Sequence, residues 1–180
     1  MSNRDRKLTT KSKQQKAIAP IVFFCCLLHA GCYSFRGGAP SANLKTVTIP
    51  TVEDASGFGR ATVRDDMTRE LVRKFREDNS LRVIDAADAD SRLEVTITNI
   101  RNDERRNIST GELETVRGVT VSAQVTFQDN LKRTPVFTNR TFSGDAQYRI
   151  DEGAAGEERA IRTAVDKITS EILLAAIADW

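Results

Sequence analysis

The side chains best suited to nucleophilic or metal chemistry crowd into one short stretch. Cys25, Cys26, His29 and Cys32 are the only thiols and the only imidazole of this 180-residue chain. Their surroundings point away from an active site. Arg4, Arg6, Lys7, Lys11, Lys13 and Lys16 precede them against one acid, Asp5, and from Ala17 to Leu28 no residue is charged. That apolar run has the length of a signal-peptide core and falls short of the roughly 20 residues a spanning helix needs. Residues 1–31 therefore read as an export signal.

Ala30 and Gly31 stand directly before Cys32, an arrangement that resembles the lipobox of bacterial lipoproteins, where the peptide is cut before a cysteine that receives diacylglycerol. His29 departs from the aliphatic residue usual three places before that cysteine. An uncleaved anchor, or an ordinary signal with a chance cysteine, are the alternatives. With cleavage, Cys25 and Cys26 leave as small apolar residues, and Cys32 becomes the acylated N-terminus. A single acyl chain holds a protein to a membrane only marginally, whereas a triacylated cysteine meets the two-signal requirement for stable anchoring.

Processing changes the chemistry left to the chain. No histidine survives it, and Cys32 is blocked by lipid, so neither a Ser-His-Asp or Cys-His arrangement, nor a thiolate or imidazole zinc site, nor a disulfide can form. No catalytic residue, metal or cofactor is expected, and the chain reads as a non-enzyme. Six of the 27 basic residues and one of the 25 acidic residues lie within residues 1–31, so the formal charge of +2 becomes −3 in the processed chain. Such a balance lacks the basic face of a nucleic-acid binder.

The remaining chemistry is carried by charge. Asp65 and Asp66 read as first-turn helix carboxylates, stabilised by the helix dipole, with Thr62 as a candidate cap. Asp85, Asp88 and Asp90 form an acidic cluster without the 12-residue pattern of a calcium loop, which favours a solvated turn. The segment 101–114, RNDERRNISTGELE, reads as a connection longer than a hairpin needs, a feature more often functional than accidental. It places Arg101, Arg105 and Arg106 beside Ile108. Guanidinium forks suit phosphate oxygens; the bland alternative is that Asp103, Glu104, Glu112 and Glu114 neutralise these cations in a solvated loop.

Periodicity sets out the scaffold around these groups. Residues 32–43, rich in glycine, proline and serine, read as a tether; the eleven residues after Cys32 reach at most about 36 Å. LKTVTIP is a first strand, stopped by Pro50. Val63, Met67, Leu71 and Phe75 recur every four residues with Val72 beside them, the stripe of an amphipathic helix lying on a sheet. LRVID at 81–85 is a short strand, and Leu93, Val95 and Ile97 alternate in the next. Val119, Val121, Ala123, Val125 and Phe127 alternate with Thr120, Ser122, Gln124, Thr126 and Gln128, giving a strand with one buried and one wet face. DNLKRTP reads as a hairpin turn into a strand around 136–142 whose poorer alternation points to a bulge, followed by a glycine-bearing loop. From about Glu157 the set Ile161, Val165, Ile168, Ile172 and Ala176 returns to helical spacing. The order predicts an α+β two-layer sandwich over 44–180: a mostly antiparallel sheet with two helices packed on one face.

Several blocks resemble the LPS-assembly lipoprotein family LptE: CYSFRGG directly after the signal, LKTVTIP, the helix RDDMTRELVRKFREDNSLRVID, ADSRLEVTITNIRND and the strand GVTVSAQVTFQD. Cys32, Tyr33, Phe35 and Gly38 match the acylated cysteine and aromatic-glycine stretch with which such mature proteins begin. The resemblance implies a lipoprotein held in the inner leaflet of the outer membrane and facing the periplasm. It would sit as a plug inside the β-barrel protein LptD and help deliver lipopolysaccharide to the outer leaflet. Lipid A presents phosphates next to acyl chains, so Arg101, Arg105 and Arg106 become candidate lipopolysaccharide ligands. A lipoprotein serving another envelope complex, such as a secretion-channel subunit or pilotin, is the alternative function.

Overall fold

The computed structural model of the protein describes residues 44–109 and 112–178, of which 105–109 and 112–115 are described by backbone alone. The expected signal and tether, Cys32 included, lie outside the described residues.

In chain order the elements are β1 (Thr46–Thr48), β2 (Glu53–Asp54), helix α1 (Ala61–Asp78), β3 (Arg82–Val83), β4 (Ser91–Ser109), β5 (Glu112–Asp129), β6 (Thr134–Arg149), a 3-10 turn (Ile150–Glu152) and helix α2 (Gly153–Ala178). The sheet order is β3-β1-β4-β5-β6, with β2 also on β4. The β1–β3, β1–β4 and β2–β4 pairings are parallel and two residues long each. The β4–β5 and β5–β6 ladders are antiparallel and run most of the length of those strands. The sheet is thus mixed, with most of its ladder antiparallel, and the predicted α+β class and two-helix layer hold.

β2 is the one strand the sequence does not announce. Both β1 and β2 lie on the same edge of β4, at Ser91–Arg92 and at Thr96–Ile97 respectively. Pro50 interrupts what is otherwise one strand, because it has no N–H for a ladder. In the gap the Val52 N–H turns aside and donates to Thr68 Oγ1 of α1 at 3.0 Å.

The core lies between the helices and one sheet face. α1 buries Val63, Met67, Leu71 and Phe75, the stripe predicted from spacing. α2 buries Ile161, Val165, Ile168, Ile172 and Ala176, together with Ala160, Ala164 and Ala175 on the same side. Beneath them Val119, Val121, Ala123, Val125 and Phe127 of β5 are wholly buried, while Thr120, Ser122, Gln124, Thr126 and Gln128 are half-buried or exposed. The helices run the same way along the sheet. Arg60 meets Glu157 near the starts of the two helices, and Lys74 meets Asp166 at 2.7 Å and Ser170 Oγ at 2.9 Å farther along.

Three local expectations are corrected. Thr62 does not cap α1: the helix begins at Ala61 after Arg60, with no side-chain cap bond and no acid in its first turn. Asp65 and Asp66 instead lie one turn in, paired with Arg64 and Arg69. The glycine-bearing loop after Phe142 is in fact strand, since β6 continues to Arg149. Gly144 hides this, because α2 lies directly on it: a Cβ built there would stand 2.1 Å from the Ala164 carbonyl oxygen. A large residue would have carried the alternation, and the helix excludes one. The expected bulge is present. The register of β6 against β5 slips between Val125 and Phe127 and again before Gln128, with Asn139 in the left-handed region at φ 49°.

Candidate binding surface

Arg101, Arg105 and Arg106 all lie on β4, not on a loop. Arg101 is exposed and opposite Thr120, and the backbones of Arg105 and Arg106 pair with Val116 and Thr115. Residues 101–109 and 112–114 are therefore two paired strand ends. Sequence patterning misses this because these residues show no apolar alternation. The ladder set by the apolar stretches 93–97 and 119–127 extends through them by backbone hydrogen bonds, whatever the side chains.

β6 stops opposite this region. Its last residue, Arg149, pairs with Val116, so beyond that pair, among the described residues, β4 and β5 pair only with each other and form a two-stranded arm. A bulge sits in β4 seven residues before Arg105, within the three-stranded body. The register shifts between Ile97 and Asn99, leaving Thr98 as the extra residue, and its hydroxyl donates to the Ser122 carbonyl at 3.3 Å. Such an insertion increases strand twist and re-aims the rest of the strand.

The base of the arm is braced by a polar relay that sequence reasoning did not foresee. Asn102 Nδ2 of β4 donates to the Tyr148 hydroxyl of β6 and to Glu157 Oε1 of α2, both at 3.0 Å. Glu157 Oε2 accepts from Arg60 Nη2 at 3.0 Å, and the Arg60 guanidinium lies 5.7 Å from the Phe58 ring centre. Four separate segments are thereby tied where the arm leaves the body. The side chain of Tyr148 is buried and that of Glu157 is 17% exposed, so each of these polar groups needs the partner it has.

At the opposite end of the sheet the chain enters the domain. Asp90 Oδ2 accepts the backbone N–H of Lys45 at 2.9 Å and of Thr46 at 3.0 Å, while the Asp90 N–H donates to Thr46 Oγ1. The Lys45 N–H is the main reason that the Asp90 carboxyl is held below the usual carboxylate range, the Thr46 donors adding to it. Of the acidic cluster, Asp85 and Asp88 are exposed, and Asp90 is a latch on β1. Asn130, in the β5–β6 turn, joins the same point: its N–H donates to the Asp90 carbonyl at 2.9 Å and its side chain to the Ala89 carbonyl at 2.8 Å.

Among the described residues, no group of three or more His, Cys, Asp or Glu is placed to hold a metal ion, and no helix is long and apolar enough to cross a membrane. What the surface offers is a projecting arm with arginines on one strand, braced from beneath.

A family model described as LptE, lipopolysaccharide-assembly, matches residues 44–175. The chain belongs to the LptE family. This LptE chain is similar in fold to the solved structure of protein XCC0632 from Xanthomonas campestris: TM-score 0.57, 12% identity, 78% of this chain and 91% of that one covered. Other similar structures are a minor lipoprotein from Acinetobacter baumannii, with TM-score 0.45, 15% identity, and coverage of 74% of this chain and 94% of that one, and the hypothetical protein CT253 from Chlamydia trachomatis, with TM-score 0.47, 10% identity and the same coverage. No curated protein sequence matches the chain.

Proposed function

We propose that this LptE chain is an outer-membrane lipoprotein, acylated at Cys32 and facing the periplasm, which acts with an LptD-like β-barrel as plug and assembly factor in lipopolysaccharide transport. It works without catalysis and without a cofactor. The observation that carries the reading is the family match across residues 44–175, nearly the whole described domain. The geometry is compatible with it. β4 begins at Ser91, beside the latch where the tether joins the domain, and ends at Ser109 in the arm. At about 3.3 Å per residue its 19 residues put the two ends roughly 60 Å apart. A chain anchored through residues 32–43 thus carries its arm well away from the point of attachment.

On this reading Arg105 and Arg106 contribute the cations where the arm leaves the body, Arg101 adds a third on the same strand opposite Thr120, and the phosphates of lipid A are their counterpart. The polar sheet face from Thr120 to Gln128 suits the polar lumen of a barrel.

Two measurements test the proposal. Detergent extraction and affinity purification should bring down a large outer-membrane barrel, and recovery of another envelope complex in its place would refute the partnership. The intact mass of the extracted chain should correspond to acylated Cys32 as first residue. An unmodified chain starting elsewhere would remove the anchor. For the arm, lipopolysaccharide binding should weaken in an Arg105→Ala, Arg106→Ala variant that still folds; unchanged affinity at low and moderate salt would end that assignment.

A further inference from the structure

We infer that the β5–β6 turn, Asn130–Arg133, is a membrane-contact element: Leu131 enters the headgroup region of an anionic phospholipid bilayer, and Lys132 and Arg133 meet its phosphates. The inference rests on the anchoring at Cys32 proposed above.

Leu131 is 57% exposed, one of three exposed large apolar side chains among the described residues. It is followed directly by two exposed cations, and among the described residues neither Lys132 nor Arg133 has a carboxylate partner. The nearest acid in sequence, Asp129, is 1% exposed, and its Oδ1 accepts the Lys132 N–H at 2.8 Å. Arg133 sits in the left-handed region at φ 56°. Glycine adopts that conformation freely, whereas a residue with a Cβ adopts it under steric strain. An arginine at such a position places a cation where backbone geometry alone favours glycine.

Location decides the occupant. Asn130 bonds to Asp90 and Ala89, and Asp90 holds the N–H groups of Lys45 and Thr46. The turn therefore projects from the same end of the sheet at which the chain enters from the tether. Eleven residues between Cys32 and Leu44 reach at most about 36 Å, so acylation holds this end, and not the arm, next to the lipid surface. An exposed leucine with adjoining cations complements an anionic bilayer in both its apolar and its charged part. The turn is also rigidly held by the bonds just named, so little ordering accompanies contact. Lys45, exposed beside the latch, adds a further cation, and Asp85 and Asp88 are the exposed acids of the adjoining loop.

The test uses the acylated chain. Once Cys32 carries lipid, Leu131→Cys supplies the only free thiol of the processed protein, to be labelled with a polarity-sensitive fluorophore. Ile150→Cys, 46% exposed at the far end of β6, is the control. In vesicles of phosphatidylethanolamine and phosphatidylglycerol the label at 131 should shift to shorter wavelength and resist acrylamide quenching, and the label at 150 should do neither. Adding Lys132→Ala and Arg133→Ala should lower the inserted-to-free ratio at 131 about thirtyfold, the effect of two cations near an anionic surface. Inorganic phosphate should not displace the label. Equal quenching at both positions would overturn the inference. So would equal protection in pure phosphatidylcholine, displacement by phosphate, or protection that appears only with a β-barrel partner present. Intact mass separates the two readings: a chain without acyl groups refutes the anchoring and this inference with it, whereas an acylated chain with an open label at 131 refutes the inference alone.

Discussion

Replacing Gly144 by alanine should destabilise the domain far more than a single methyl group suggests. The Cβ would stand 2.1 Å from Ala164 O, 2.9 Å from Ile168 N and 3.0 Å from Ala164 C. All three are backbone atoms of α2, so no side chain can turn away to make room. Restoring ordinary contact at 3.4 Å requires the helix to recede by roughly 1.3 Å. Ile168 and Ile172, both wholly buried on that face, would then lose contact with the sheet, and a gap of 0.5–1 Å already forfeits a quarter to a half of a dispersion well. Overpacking commonly costs about 1–3 kcal/mol, and a displaced helix belongs at the upper end of that range. For a domain of this size about 3 kcal/mol lowers Tm by about 10 °C. Gly57→Ala separates sterics from conformation: its φ is +70° but nothing lies within 4 Å, so only left-handed strain of about 1–2 kcal/mol applies. Urea and thermal unfolding followed by circular dichroism measure both. A Gly144→Ala protein as stable as wild type, or more stable than Gly57→Ala, would refute the close approach of α2 to β6.

Val125→Asp should cost several kcal/mol by burying an unpaired charge, enough to unfold a marginally stable domain, whereas Gln124→Asp on the exposed face should be mild; melts in the reverse order would turn the strand inside out. Asn102→Ala removes bonds to both Tyr148 and Glu157 and should cost about 1–3 kcal/mol, with faster amide exchange at the base of the arm; unchanged exchange there would deny the relay its bracing role. The Asp90, Asp151 and Asp166 carboxyls are held below their usual range, chiefly by the Lys45 N–H, the Arg149 side chain and the Lys74 side chain respectively. Each folded-state pKa is depressed, so the stabilisation is complete above the unfolded value near 3.9 and is lost as pH falls through the folded one. Acid titration of stability should show that loss below about pH 4, diminished in Asp90→Asn; a variant as acid-sensitive as wild type would contradict the latch.

Much of the architecture was legible in the sequence because burial against a flat layer leaves a period. Val63, Met67, Leu71 and Phe75 mark the α1 face that meets the sheet, and the alternation from Val119 to Phe127 marks the face that meets the helices. Both patterns are local, and the pleat and the helical turn alone produce them. The clustering of every thiol and the only histidine within residues 25–32 is likewise a property of the chain, and it alone leads to the expectation of a non-enzyme. The tertiary structure decided what depends on distant partners. Gly144 reads as a loop until α2 is seen lying on it. Arg101, Arg105 and Arg106 read as a loop tip until the β4–β5 ladder places all three on a strand, with Arg105 and Arg106 where the arm begins. The relay joins Asn102 to Tyr148 and Glu157, 46 and 55 positions away, and Glu157 to Arg60, 97 positions away; the latch joins Asp90 to Lys45, 45 positions away. A hydrogen bond between single residues so far apart leaves no period in either segment, because one polar side chain at one position looks the same whether its partner is water or another strand. Only the folded register brings the partners within 3 Å, and that register is set by the apolar residues around them.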